Sequence, residues 1–194
     1  MTHRHNPPWL SAFHLPKDVL AVMAITIATA FGNGALAPLL GEISSEFGVS
    51  FTALGLLISA FGIARLIIDL PAGGLIDRLP SHPLFYAGAL LAITGISVSA
   101  LAPIYPLLLA GRVVEGSGAG VAGAAAQAYV ARRAPEKSRG QMLGTISAAQ
   151  MVGGFLSPAI VGLVASLAGW RFGLLATVVP AIIAVGLVKY YVKH

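Results

Sequence analysis

Arg65 and Asp69 stand four residues apart, and Arg112 and Glu115 three apart. On an α-helix either spacing puts both side chains on one face. A base and an acid sharing a face can neutralise each other as a structural ion pair. They can also form a site that takes up and releases an ion or a proton. Spacing alone leaves both readings open. Asn33 is set between glycines in Phe31-Gly32-Asn33-Gly34, and Gln150 lies one turn before Gly154. Glycine on both sides of an amide predicts either close helix packing or a locally unwound segment beside a substrate.

The elements that hold these residues follow from composition. Of 194 residues, 57% are hydrophobic and 10% charged, and mean hydropathy is +0.85. Soluble domains carry about 25% charged residues, and one core cannot hide this much apolar surface from water. That excludes a soluble enzyme, a nucleic-acid-binding domain and a disordered tail. With no Cys, thiolate metal sites and thiol nucleophiles are excluded, and nothing calls for a metal or cofactor. Charge-free stretches cover 19–41, 47–64, 83–111 and 140–170. A helix crosses a ~30 Å hydrocarbon core with about 20 residues. The sequence therefore predicts an all-α membrane protein with six spans: 19–40, 52–76, 84–102, 107–130, 141–167 and 172–191. Residues 1–18 form an N-terminal segment, and 19–192 form one six-helix bundle.

Nine Lys and Arg fall at one side: Arg4, Lys17, Arg78, Arg132, Arg133, Lys137, Arg139, Lys189 and Lys193. Of the connections facing the other side, only the last holds a basic residue, Arg171. Positive charge marks the cytoplasmic side, so both termini are placed in the cytoplasm, and the protein in the plasma membrane. The +5 net charge then reports topology and contact with anionic lipid, with no nucleic acid as partner. Ala28-Thr29-Ala30 resembles a signal-peptide cleavage site. The apolar run continues past it to Leu40, so span 1 is read as a retained helix.

On these spans the four charges lie deep. At ~1.5 Å rise per residue, Asp69 is ~12 Å and Arg65 ~18 Å from the cytoplasmic end of span 2. Glu115 and Arg112 lie ~16 and ~21 Å from it by the same count in a ~30 Å core. Each charge at mid-membrane costs about 2.5–3.5 kcal/mol, so the four must face one another or an aqueous cavity. Four at similar depth on two helices favour a functional site. The glycines of span 4 read as close packing. In span 5, Gly153, Gly154 and Pro158 read as packing detail or a pivot, because proline removes a backbone donor and kinks a helix.

Four stretches resemble the major facilitator superfamily of transporters. Gly73-Gly74-Leu75-Ile76-Asp77-Arg78 looks like the opening of that family's loop 2–3 signature, although Pro80-Ser81-His82 replaces its Gly-Arg-Lys end. Arg112-Val113-Val114-Glu115-Gly116-Ser117-Gly118 matches the span-4 pattern whose Arg is linked to proton coupling. Gly153 through Ser157-Pro158 to Gly162 resembles the span-5 antiporter signature, with Ser157 and Val161 in place of two glycines. Gly169-Trp170-Arg171-Phe172 resembles the usual loop 5–6 turn. The family has twelve spans in two halves, and this chain matches the first half.

The resemblance implies a half-size transporter that pairs with itself, as a parallel homodimer, and works by alternating access. It implies export of a small molecule against protons, with the lipid bilayer as surroundings. The alternative is an inactive half of a twelve-span transporter. Asp69 and Glu115 are the expected proton carriers, with Arg65 and Arg112 as their counter-charges, and Asn33 and Gln150 line the pathway. Gly73, Asp77, Arg78, Gly153, Gly154 and Pro158 are the expected gating residues. A rhomboid-like protease is disfavoured, because every His lies outside the spans. No Walker A sequence is present for an ATP-driven pump.

Overall fold

The computed structural model describes the backbone of residues 16–75 and 79–192, with side chains for all of these except 71–75. The chain order is α1 (Lys17–Gly34), a 3-10 turn (Ala37–Leu39), α2 (Leu40–Phe47), α3 (Phe51–Leu75), α4 (Ser81–Ala100), α5 (Tyr105–Arg133), a 3-10 turn (Glu136–Ser138), α6 (Arg139–Ala168), α7 (Trp170–Ala176) and α8 (Val178–Tyr191). Span 1 corresponds to α1 with α2, and span 6 to α7 with α8. The other spans are one helix each.

Alternating crossings set the ends. Lys17, Arg133 and Tyr191 lie at one end of the bundle, where the Lys17 ammonium sits 5.8 Å from the Tyr191 ring. Glu46, Ala100 and Trp170 lie at the other, joined through Arg171. Centrally, α5 packs on α3, α4 and α1, while α1 packs on α5, α6 and α8. That leaves α3 and α6 on the flanks. In their apolar windows 28% and 22% of residues are buried, against 67% for the span built on α1.

The packing follows from small residues. Without a hydrophobic drive between helices in lipid, association depends on close backbone approach. At the α4–α5 contact, a Cβ added to Gly118 would lie 2.9 Å from the Leu91 Cβ, and one on Gly88 would lie 2.7 Å from the Ala122 nitrogen. The expected packing role of the span-4 glycines thus holds at Gly118.

Span 1 runs longer than its charge-free stretch. The helix stops at Gly34, resumes at Leu40 and ends at Phe47 on Gly48, which takes φ +61°. Glu42 and Glu46 of that extension are exposed, and both accept hydrogen bonds from Trp170. Span 6 breaks at Thr177, whose hydroxyl donates to the Leu174 carbonyl at 2.7 Å. Span 5 is one continuous helix through Pro158. Five of the six spans are apolar and long enough to cross a membrane by composition alone. The 29-residue α5 is long enough too, but its small residues and its embedded Arg112 and Glu115 dilute its hydropathy.

Candidate functional site

The deepest polar contact is inside the bundle. The Arg112 Nη1 donates to Glu115 Oε2 at 2.5 Å, and the two side chains are 1% and 2% exposed. Three neighbours hold the guanidinium. The Phe61 ring of α3 lies under it at 4.7 Å, Glu115 pairs with it, and the Gly32 carbonyl of α1 accepts from Nη1 at 3.4 Å. Burying a charge without such partners costs several kcal/mol per ion, and the cation–π contact adds about 0.5–2 kcal/mol.

The interrupted helix supplies the third partner. At the end of α1, the Ala35 N–H turns to the Gly32 carbonyl at 3.4 Å, leaving the Phe31 carbonyl it would address in a continuing helix. The Ser157 hydroxyl of α6 donates to that Phe31 oxygen. Ser157 is one of the residues that departs from the span-5 signature, and its hydroxyl seals the break in α1. Gly32 must also lack a side chain. A Cβ there would overlap Glu115 Oε1 and lie 3.5 Å from its Cδ.

Two buried atoms in this cluster have no protein hydrogen-bond partner, Arg112 Nε and Glu115 Oε1. Glu115 also lines a pocket among α1, α3, α4, α5 and α8, walled mostly by alanines. The guanidinium stabilises the carboxylate form of such a group, and desolvation stabilises the neutral acid.

The second pair is formed but placed differently. Arg65 Nε is 3.4 Å from Asp69 Oδ2, with the side chains 24% and 40% exposed. The Arg65 guanidinium packs beside Gly123 of α5, 3.5 Å from where a Cβ would stand. The structure thus joins each pair within its own helix and keeps the two pairs apart. Asn33 is exposed and Gln150 half-buried, so neither joins the buried cluster. Gly153 packs on Ile27 of α1, and the Gly154 carbonyl and Pro158 face Gly34. Gly73 lies within α3, and Asp77 and Arg78 lie outside the described residues.

Two clusters were not legible in the sequence. At one end, the Tyr129 hydroxyl and the Arg133 Nε donate to Asp18 Oδ2 at 2.7 and 2.8 Å, tying the start of α1 to the end of α5. At the other end, Arg171 donates to the Ala100 and Ala102 carbonyls at 2.7 and 2.9 Å and to Glu46 Oε1 at 2.5 Å. The Trp170 Nε1 donates to Glu46 Oε2 at 2.5 Å. The available signal was an acid at each border of span 1, facing Arg133 and Arg171 that were read as topology charges.

An all-helical, multi-pass membrane bundle with a desolvated ion pair at its centre is the class that fold and site define. The chain belongs to the Major Facilitator Superfamily, whose profile matches residues 22–194. It is 33% identical over 146 residues to D-xylose-proton symporter-like 2 of Arabidopsis thaliana, covering 74% of this chain and 28% of that protein. It is 27% identical over 157 residues to the bacillibactin exporter of Bacillus subtilis (strain 168), covering 77% and 39%. The partially occluded, inward-open xylose transporter XylE from E. coli superposes with a TM-score of 0.80 at 17% identity, over 90% of this chain and 49% of that one. The chain thus spans less than half the length of these relatives, and its own kin are membrane transporters.

Proposed function

We propose that this chain forms one six-helix unit of a secondary active transporter that works by alternating access and exports a small molecule against protons. The observation that carries the reading is the Arg112–Glu115 pair. An ionisable acid is kept in a dry interior beside a cation, although apolar residues would be cheaper there. Similarity to a protein named D-xylose-proton symporter-like 2 supports proton coupling, and similarity to the bacillibactin exporter supports export. Glu115 carries the proton and Arg112 sets its affinity, while Asp69 with Arg65 forms a second acid–base pair nearer the surface of the unit.

A second copy completes the transporter as a parallel homodimer. The bias of basic charge to one side disfavours an antiparallel pair. The sparsely buried flanks α3 and α6 supply the contact, with the half-exposed Arg65–Asp69 pair shielded from lipid there. Both termini then lie on the cytoplasmic side of the plasma membrane.

The test uses everted membrane vesicles with an imposed pH gradient and a panel of sugars and organic cations. At least one compound dissipates the gradient with wild type, and Glu115→Gln loses that response while still folding. Cysteine pairs introduced on α3 and α6 cross-link between chains. Full gradient-driven transport by Glu115→Gln would reduce the pair to structure. Absence of inter-chain cross-links together with a monomeric mass would leave the chain an inactive half.

A further inference from the structure

At the end of the bundle where α1 begins and α8 finishes, positive charge outnumbers the acids that could neutralise it. Asp18 is already taken: its Oδ2 accepts from the Tyr129 hydroxyl and the Arg133 Nε at 2.7 and 2.8 Å. Glu136 stands in the α5–α6 connection beside Lys137. Residues 1–15 hold no Asp or Glu, and residues 193–194 are Lys and His, so neither chain end brings an acidic side chain. Lys17 and Lys189 are both exposed, and among the described residues neither forms an ion pair.

These two lysines flank a pair of tyrosines. The Lys17 ammonium lies 5.8 Å from the centre of the Tyr191 ring, which meets the Tyr190 ring edge-on at 4.9 Å. Lys189 is in the same last turn of α8. Tyrosine rings and lysine heads at a helix end settle at the headgroup level, where an apolar body and a polar tip are both accommodated. From there one face of α8 runs into the membrane as an apolar strip. Tyr190, Ile183 and Val179, at helical spacing, are 75%, 57% and 57% exposed. A Cβ on Gly186, one turn from Tyr190, would meet nothing within 4 Å, so the strip is notched there. Cations without acids at one end and a notched apolar strip below them match a molecule that is anionic at its head and hydrocarbon in its tail.

The other basic cluster lacks the second half of this pattern. Arg132 donates to the Ser81 hydroxyl and Arg133 to Asp18. Lys137 and Arg139 remain, but the exposed positions in the first turns of α6 are Gly140, Gln141 and Gly144, which offer a tail no apolar side chain.

We propose that the corner between the start of α1 and the end of α8 binds an anionic phospholipid. Lys17 and Lys189 hold its phosphate, and an acyl chain lies along Tyr190, Gly186, Ile183 and Val179. The lipid joins the first helix of the unit to the last. The inference needs only that the helices span a bilayer and is independent of the transport reading.

The test is lipid selectivity of the full chain in phosphatidylcholine nanodiscs. Electron spin resonance compares spin-labelled phosphatidylglycerol with spin-labelled phosphatidylcholine at the protein. Wild type prefers phosphatidylglycerol. Each lysine near a membrane surface strengthens anionic-lipid binding on the order of fivefold, so Lys17→Ala combined with Lys189→Ala removes most of the preference. Lys137→Ala combined with Arg139→Ala removes equal charge and leaves the preference in place. Glycerol phosphate, which has the anion without the tails, fails to displace the labelled lipid. Equal losses in the two double variants would show a diffuse basic surface. An undiminished preference without Lys17 and Lys189 would leave the corner to another occupant, such as residues 1–15. Displacement by glycerol phosphate would show a site for free anions. Each of these three results overturns the proposal. Glu115→Gln keeps the preference, so failure here is distinguishable from failure of proton coupling.

Discussion

Gly32→Ala places one methyl group where Glu115 Oε1 now lies. Three magnitudes compete. Alanine gains about 0.5–1 kcal/mol over glycine inside a helix. Against that, the carboxyl must turn away, weakening a charge-assisted hydrogen bond worth about 1.5–3 kcal/mol. If the turn separates the ions, a desolvated charge is left unpaired, at about 3–5 kcal/mol. Both partners are at most 2% exposed, so water does not compensate. The net expectation is destabilisation by about 1–4 kcal/mol. The control is Gly62→Ala on α3, where an added Cβ meets nothing within 4 Å and stability should hold or rise by up to about 1 kcal/mol. The assay is unfolding in mixed micelles followed by circular dichroism. In a Glu115→Ala background the Gly32→Ala penalty should vanish, because the clashing atom is gone. If Gly32→Ala is as benign as Gly62→Ala, or keeps its penalty without Glu115, the close approach of α1 to the ion pair is not what fixes Gly32.

Three further outcomes are expected. Reporter fusions should place both termini and the connections 2–3 and 4–5 in the cytoplasm; a C-terminus on the far side would refute six crossings. Arg171→Ala removes donors to Ala100, Ala102 and Glu46 and should lower stability by about 1–3 kcal/mol, with Arg171→Lys losing less; equal stability of the alanine variant in the same unfolding assay would show the clasp to be idle. On the homodimer reading, Asp77, which follows span 2 in the sequence, is expected to meet the second copy's span 5 near residues 140–143, where a helix N-terminus attracts an acid by about 0.3–2 kcal/mol. Asp77→Asn should then raise cytoplasmic accessibility of a single cysteine near Gly73, and unchanged labelling would leave the acid a solvated charge.

Which parts of this protein could be read from its residues depends on how local their causes are. Mean hydropathy and the length of charge-free runs fix the all-helical membrane class, because lipid leaves the backbone no partner but itself. Helical periodicity fixes which charges pair, since i,i+3 and i,i+4 neighbours share a face wherever the helix goes; Arg112–Glu115 and Arg65–Asp69 both form as spacing requires. Helix continues past the charge-free stretch of span 1 to Phe47, because charge-freeness is a property of the isolated segment. Glu42 and Glu46 in that extension accept hydrogen bonds from Trp170, more than a hundred residues later.

Tertiary structure alone decided which pair is buried. Both pairs carry the same charges, yet α5 is enclosed by α1, α3 and α4 while α3 lies on a flank. Arg65 lies level with Gly120 and Gly123 of α5 rather than with Glu115, so the similar depth counted from the sequence does not hold. The same holds for the two oxygens of Glu115. Oε2 is taken by Arg112, which the Gly32 carbonyl and the Phe61 ring hold in place, while Oε1 is buried against Gly32 with no protein partner. Periodicity names the face a residue occupies, but burial and access depend on which helices pack against that face, and that is settled by close contacts between segments distant in the chain.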